Sequence, residues 1–374
     1  MSKIKLSCPC LFGLESVLKG EILRLGLEIQ EVADGRVTFW GEQSDIARAN
    51  IQLRTAERVQ ILLGSFRAVS FEELFQGVRS LPLEAYIGKK NAFPVKGYSL
   101  NSKLRSIPDC QSIIKKAASK RLGEKYGVEW LEESGPAVQI QFSILRDQVM
   151  ILLDTSGMGL HKRGYRRDAN QAPIKETLAA GIIDLSRIYE DTCLYDPFCG
   201  SGTFVIEGAM KALNIAPGLN RHFAAERWDC LDSRIWKNER ERALDEIRRA
   251  ASFRGYGYDI DPAAIEICQI NAKRAGVSPK LRFQVQDITS FQIPEERALV
   301  ICNPPYGERL LDIRQAETLY SAMGKVFPKR GQLRYSIISP DESFETFFGR
   351  PADKRRKLYN GMIRCQLYMY FRNL

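Results

Sequence analysis

The sequence predicts an α/β protein whose C-terminal portion is a doubly wound, mostly parallel sheet, with smaller α/β units ahead of it. Three observations carry this. From Cys193 onward, short apolar runs ending in polar residues alternate with helical segments. A glycine loop, Cys199-Gly200-Ser201-Gly202-Thr203, joins the first of those runs to a helix. The segment Asn303-Pro304-Pro305-Tyr306 closes a later run, Ala298–Cys302.

At the N-terminus, Lys3–Ser7 reads as a strand and Leu11–Leu25 as a helix. Glu28–Val32 and Arg36–Trp40 read as a hairpin around Asp34-Gly35, and Ser44–Leu53 as a second helix. That alternation suits a small ferredoxin-like unit. Ser70-Phe71-Glu72-Glu73 is a capping box opening a helix that ends before Leu81-Pro82. Ala92–Val95, a helix from Asp109 to Tyr126, and the strands Val138–Ile144 and Val149–Asp154 complete a second α/β unit. Gly157-Met158-Gly159 marks the joint to the rest.

The net charge of +10 is unevenly spread. From Tyr86 to Gly127 there are ten Lys/Arg against two acids, a net of +8. Helical spacing puts Lys116, Lys120 and Arg121 near one face. Lys162-Arg163 with Arg166-Arg167, and Lys354-Arg355-Arg356-Lys357, are further clusters. Such density favours a polyphosphate partner, because each neutralised phosphate releases condensed counterions; a merely solvated lysine-rich face is the other reading.

In the C-terminal portion, Cys193–Asp196 is a strand and a helix begins near Thr203. Gly200 and Gly202 can take positive φ and admit a ligand close to the backbone, and the helix N-terminus offers free N–H groups to an anion. No lysine follows Gly202, as a phosphate-binding P-loop requires, and Val205 stands where a dinucleotide loop has Gly or Ala. Arg254–Asp259 is the next strand, and a carboxylate at its end can bridge two ribose hydroxyls. Leu281–Asp287 ends in another acid, which can accept from an adenine amino group. Each acid also suits a helix N-cap. The prolines stiffen the Asn303–Tyr306 turn, and its two acceptors beside a ring suit a planar base with an exocyclic amine. An ordinary turn is the other reading, since Asn and Pro are turn residues. Leu213–Ser252 is longer than a crossover needs and reads as a packing excursion over one sheet face, with RNA contacts through Arg221, Arg248 and Arg249 as the alternative. Lys354–Asn360 and Met362–Arg372 alternate like a closing antiparallel hairpin.

At 374 residues and 44% hydrophobic content, two or three ordinary cores are expected. No apolar run approaches the ~18 residues of a membrane span, and Met1–Lys5 lacks a signal-peptide core. The nine cysteines show no zinc-type pairing and read as reduced core thiols of a cytosolic protein. With only His161 and His222 present, a histidine triad or histidine metal site is not expected.

Taken together, Asp196–Thr203, Asn303–Gly307, Leu160–Arg166 and Ala172–Ala179 resemble the class I S-adenosylmethionine-dependent amino-methyltransferases. More closely, they resemble the THUMP-containing RNA methyltransferases, a group that includes the 23S rRNA guanine-N2 methyltransferases. The resemblance implies a Rossmann-like domain over 159–374, with a mostly parallel seven-stranded sheet and an antiparallel C-terminal hairpin. A ferredoxin-like unit over 1–62 and a THUMP RNA-binding domain over 63–158 precede it. It implies S-adenosylmethionine as cofactor, held by Asp196, Pro197, Phe198, Cys199, Gly200, Gly202, Thr203, Asp259, Ile260, Asp287, Ile288 and Thr177, and no metal. Asn303, Pro304, Pro305 and Tyr306 would be catalytic. Structured RNA would be held by Lys103, Arg105, Lys116, Lys120, Arg121, Lys162, Arg163, Arg166 and Arg167, with no membrane and no obligate protein partner. Guanine N2 of 23S rRNA is the implied target. Guanine N2 of tRNA, adenine N6 of DNA and a non-catalytic assembly role are the alternatives. An aromatic amine is a poor nucleophile, so alignment and acceptance of its two N–H bonds by Asn303 and the Pro304 carbonyl would carry the chemistry. Tyr306 would hold a base drawn from its stack.

Overall fold

The computed structural model describes residues 3–166, 174–306 and 310–371, with side chains left aside at 310–313. The chain forms two compact units, one of Met1–Cys10, Lys19–Leu160 and His222–Arg242, the other of Leu11–Leu18, His161–Arg221 and Ala243–Leu374.

The first unit is built on β1 (Ile4–Pro9), β2 (Glu28–Ala33), β3 (Arg36–Gly41), β4 (Gln60–Arg67), β5 (Asn91–Ala92), β6 (Val95–Leu100), β7 (Gly135–Ala137), β8 (Ile140–Leu145) and β9 (Gln148–Asp154). Seven of these make one sheet in the order β2-β3-β1-β4-β9-β8-β6, while β5 and β7 pair separately. The ferredoxin-like and THUMP portions therefore share a sheet, and the join is β4, which pairs with β1 on one side and β9 on the other. Sequence periodicity does not reveal β4, because a bulge between Leu62 and Gly64 breaks the two-residue alternation. A Cβ at Gly64 would lie 2.5 Å from Leu81 Cδ2, so the bulged backbone passes too close for a side chain.

The helices of this unit are set by their ends. Helix α1 is Glu15–Arg24, α2 Gln43–Gln52, α3 Phe71–Arg79 and α4 Ile107–Tyr126. The expected capping box opens α3: Glu73 N–H donates to Ser70 Oγ and Ser70 N–H to Glu73 Oε2. At α4, Ser106 caps the first turn and Gly127, at φ 63°, closes the last.

The long excursion departs from expectation. Its stretch His222–Arg242 belongs with the first unit. Trp228 Nε1 donates to the Ala137 carbonyl at 3.1 Å, and Arg48 pairs with Glu239 at 3.1 Å. Buried polar anchors and an indole thus tie it down, where the sequence shows only its length.

The second unit carries α5 (Glu176–Leu185), β10 (Cys193–Asp196), α6 (Thr203–Ala212), β11 (Arg254–Asp259), α8 (Pro262–Arg274), β12 (Leu281–Val285), β13 (Arg297–Cys302), α9 (Leu310–Val326), β14 (Gln332–Ser339), α10 (Phe344–Phe348), β15 (Lys354–Asn360) and β16 (Ile363–Tyr370). The excursion helix α7 is Arg234–Asp245. The sheet order is β12-β11-β10-β13-β14-β16-β15, parallel through β14, with β16 inserted antiparallel. Strand alternation feeds two cores. Leu194, Leu299 and Ile301 join Phe204, Ile206 and Ile182 on one face. Tyr195, Val300 and Cys302 join Tyr320, Phe327 and Phe344 on the other. Both faces being covered explains why these strands read as continuous apolar runs. The strand order reverses at β10, between β11 and β13, and this opens a crevice at the carboxyl ends.

Candidate active site

Chain geometry after β10 is fixed by its glycines. Cys199 N–H donates to the Tyr258 carbonyl at 2.8 Å, and Gly202 N–H to the Cys199 carbonyl at 2.7 Å. This turn holds Gly200 at φ 52° and Gly202 at φ 82°, the left-handed region that favours glycine. Gly202 is the N-cap of α6. A Cβ at Gly200 would meet no atom within 4 Å, so the missing side chain leaves a cradle open to a ligand.

Asp259, at the tip of β11, stitches that loop to its own. Its Oδ2 accepts from Gly200 N–H at 2.9 Å and its Oδ1 from Asp261 N–H at 3.0 Å. Each oxygen keeps further lone-pair capacity. Beside it, Ile260 exposes 68% of its surface to solvent. Asp196 is buried, and burial pushes its carboxyl well above the usual range, with the Asp259 charge adding to the shift; the bond from Phe198 N–H works the other way. Asp287 caps the short turn after β12: Oδ1 accepts from Thr289 N–H at 2.8 Å and from Thr289 Oγ1. Those two bonds hold its carboxyl below the ordinary value. The capping alternative for Asp287 is thus realised, with Oδ2 left for other work.

Asn303–Tyr306 follows β13. Asn303 is half-buried, Pro304 buried and Pro305 exposed. Asn360 Nδ2 donates to Tyr306 Oη at 3.3 Å, tying the ring to the end of β15. All four strand tips line one cleft of about 680 Å³, a volume suited to a cofactor-sized ligand. The expected Asp196, Pro197, Phe198, Cys199, Gly200, Thr203, Asp259, Ile260, Asp287, Ile288 and Asn303 through Tyr306 are all on its wall. Gly202 is not; it shapes the turn from behind. Thr177, also expected to hold the cofactor, is fully buried in α5 and is not among these wall residues. Sequence reasoning missed Ile174, Ser201, Phe204, Gln286, Leu319 and Ile363 on the wall. Ser201, Phe204 and Gln286 adjoin recognised positions and Ile174 lies within the Ala172–Ala179 stretch, whereas Leu319 and Ile363 carried no local signal.

The basic residues divide. Lys103 and Arg105 are exposed beside Asn101 and Asp147 on a concavity of about 630 Å³. Lys116 and Lys120 are exposed on α4. Arg121 makes a two-pronged pair with Glu84, Nε to Oε2 at 2.9 Å and Nη2 to Oε1 at 2.5 Å, and this holds the Glu84 carboxyl down at about 2. Lys162 is exposed. Arg163 is a correction: it is 3% exposed and pairs at 3.4 Å with buried Glu207, which also accepts from Tyr165 Oη at 3.1 Å. Arg166 is half-buried: its Nη2 donates to Thr203 Oγ1 at 2.9 Å and to the Ile174 carbonyl at 3.0 Å, and it pairs with Glu176. The Arg163 guanidinium braces the glycine-loop helix from within, where a buried charge must be paired, and half-buried Arg166 ties to the start of that helix at Thr203. Arg167 lies outside the described residues. Arg221 is buried and donates to the Lys162 carbonyl, and Arg248 pairs with Glu190.

A reversing parallel sheet with a glycine loop, a ribose-type acid and an Asn-Pro-Pro-Tyr tip around one cleft defines a class I methyltransferase, whose cofactor is S-adenosylmethionine. Residues 163–369 match the RMKL-like methyltransferase domain, 5–60 the RlmL ferredoxin-like domain and 68–154 the THUMP domain, and the chain belongs to this family of THUMP-containing RNA methyltransferases. It is 39% identical to the putative RNA methyltransferase YpsC of Bacillus subtilis, over 99% of this chain and 97% of that one. It is 35% identical to the ribosomal RNA large subunit methyltransferase K/L of Psychromonas ingrahamii, over 97% of this chain but only 49% of that longer protein. The crystal structure of SMU.472, a putative methyltransferase complexed with SAH, superposes with a TM-score of 0.94 at 40% identity, over 99% of this chain and 98% of that one. Among the described residues no helix is long and apolar enough to cross a membrane.

Proposed function

We propose that this chain methylates the N2 amino group of a guanine in large-subunit ribosomal RNA, in the cytoplasm. The observation that carries this reading is the placement of Asn303–Tyr306 across the same cleft as the glycine loop and Asp259. S-adenosylmethionine, when bound, supplies a methyl group on a sulfonium. Gly200 would admit its methionine portion, Asp259 its ribose, and Ile260, Ile288 and Asp287 its adenine. Asn303 and the Pro304 carbonyl would accept the two N–H bonds of the target amine and turn its lone pair toward the methyl. Tyr306, steadied by Asn360, would stack on the extruded base. The chemistry requires no strong base at first, because the methylated ammonium is acidic. The ribosomal substrate is supported by the name of the K/L relative, a ribosomal RNA large subunit methyltransferase of which this chain spans about half the length.

The test is mass spectrometry of nucleosides from separated rRNA and tRNA of a strain lacking the gene. The reading expects N2-methylguanosine to fall in 23S rRNA alone. A loss confined to tRNA, or of N6-methyladenine from DNA, would replace the substrate; no change in any fraction would sink the enzymatic reading.

A further inference from the structure

We propose that Met362 is the side chain that enters the RNA stack and fills the gap left by the extruded base, a role that rests on the base-amino methyltransferase reading above. Among the described residues Met362 is the most exposed large apolar side chain, at 97%. It occupies the two-residue turn Gly361-Met362 between β15 and β16, where Asn360 pairs with Ile363 and Gly361 takes φ 63°.

Both flanks of the turn touch the catalytic cleft. Asn360 donates to Tyr306 Oη, and Ile363 is part of the cleft wall. The tip is therefore fixed at the rim of the pocket that would receive the base. The hairpin beneath it is anchored in the sheet: β16 pairs with β15 from Ile363 to Met369 and with β14 from Gln366 to Tyr370. Phe12 packs edge-on against Tyr359 at 6.2 Å between ring centroids.

The opposite side of the tip fits a polyanion. Residues 354–364 contain five Lys/Arg and no acid. Arg355 is bound to Glu345, and Arg356 to the Gly13 carbonyl and Ser16. Lys357 and Arg364 remain exposed, the first with Nζ 5.4 Å from the Tyr359 ring centroid and the second paired across the strands from Tyr359. An apolar tip between a base pocket and an aromatic, cationic face matches the wedge by which proteins compensate an unstacked step. An unbranched methionine adapts to an irregular gap.

The test uses the full chain, radiolabelled S-adenosylmethionine and total RNA from a strain lacking the gene. Met362→Ala should lower kcat/KM about tenfold, the scale of one lost base contact, with S-adenosylmethionine affinity and Tm unchanged. Met362→Leu should restore most of the rate, because the wedge needs bulk and not sulfur. A photo-crosslinking amino acid at 362 should label nucleotides adjacent to the methylated one. Wild-type rates for the alanine variant, failure of leucine to rescue, or crosslinks remote from the methylated base would each overturn the wedge while leaving the methyltransferase reading intact. If the wild-type enzyme itself transfers no methyl to this RNA, both fall together.

Discussion

Asp259→Ala tests the cofactor site at the point where the structure is most explicit. The carboxylate accepts backbone N–H bonds from Gly200 at 2.9 Å and from Asp261 at 3.0 Å, so it shapes the loop as well as standing as the proposed ribose acceptor. Alanine removes the ribose acceptors, at a cost of about 1–3 kcal/mol in binding, equivalent to roughly 5- to 150-fold in Kd. It also releases two N–H groups. These lie beside an open cleft where water can satisfy them, so the loss in folding stability should stay within about 1 kcal/mol. The loop would hold Gly200 less firmly, which pushes the affinity loss toward the upper end. Asp259→Asn should be intermediate: its single carbonyl can serve one backbone donor, while its NH2 faces the other. Isothermal titration calorimetry with S-adenosylmethionine reads the effect, and thermal melts verify folding. An Asp259→Ala protein that binds with wild-type affinity would refute the ribose assignment. Weakened binding accompanied by a large drop in Tm would show that the residue acts through the loop alone.

Three other perturbations separate the remaining parts. Asn303→Ala should lower kcat by about 10²-fold or more with little change in S-adenosylmethionine affinity; a wild-type rate in single-turnover assays would return the segment to a structural turn. Lys116→Glu with Lys120→Glu should weaken rRNA binding and reduce the slope of log K against log salt by about 2, while an unchanged slope would make that face of α4 a solvated surface. Arg121 is best left intact there, since it serves Glu84. The Glu84 carboxyl is held at about 2 in the folded protein, chiefly by its bond from Arg121, against an ordinary 4.5. Its folded value is depressed, so the pair's contribution is complete above about pH 4.5 and is lost as pH falls toward about 2. Glu84→Gln should therefore lower Tm near neutrality and make its decline below pH 4.5 shallower; parallel melting curves for mutant and wild type across that window would contradict the assignment.

Most of the cleft wall was legible in the sequence because each part of it is local. Glycines that must take positive φ, an acid ending a strand and an Asn-Pro-Pro-Tyr turn specify their own geometry within a few residues. Helix starts were equally legible where a cap encodes them, as at Ser70. What the sequence could not disclose depends on partners distant along the chain. A charged residue looks the same whether it meets solvent or a buried acid, so Arg163 and Arg166 read as RNA ligands until Glu207, Thr203 and Glu176 are brought beside them. Strand β4 was hidden by a bulge whose logic lies in its neighbours β1 and β9. Residues 222–242 join the first unit through anchors such as Ala137 and Arg48, far away in sequence. Ile363 reaches the cleft only because β16 is inserted between β14 and β15. The sequence alone determined which groups can do the chemistry, since those properties belong to single residues and short turns. Tertiary structure alone decided which charges are spent on the fold and which face a ligand, because desolvation and pairing depend on segments that meet only once the chain has folded.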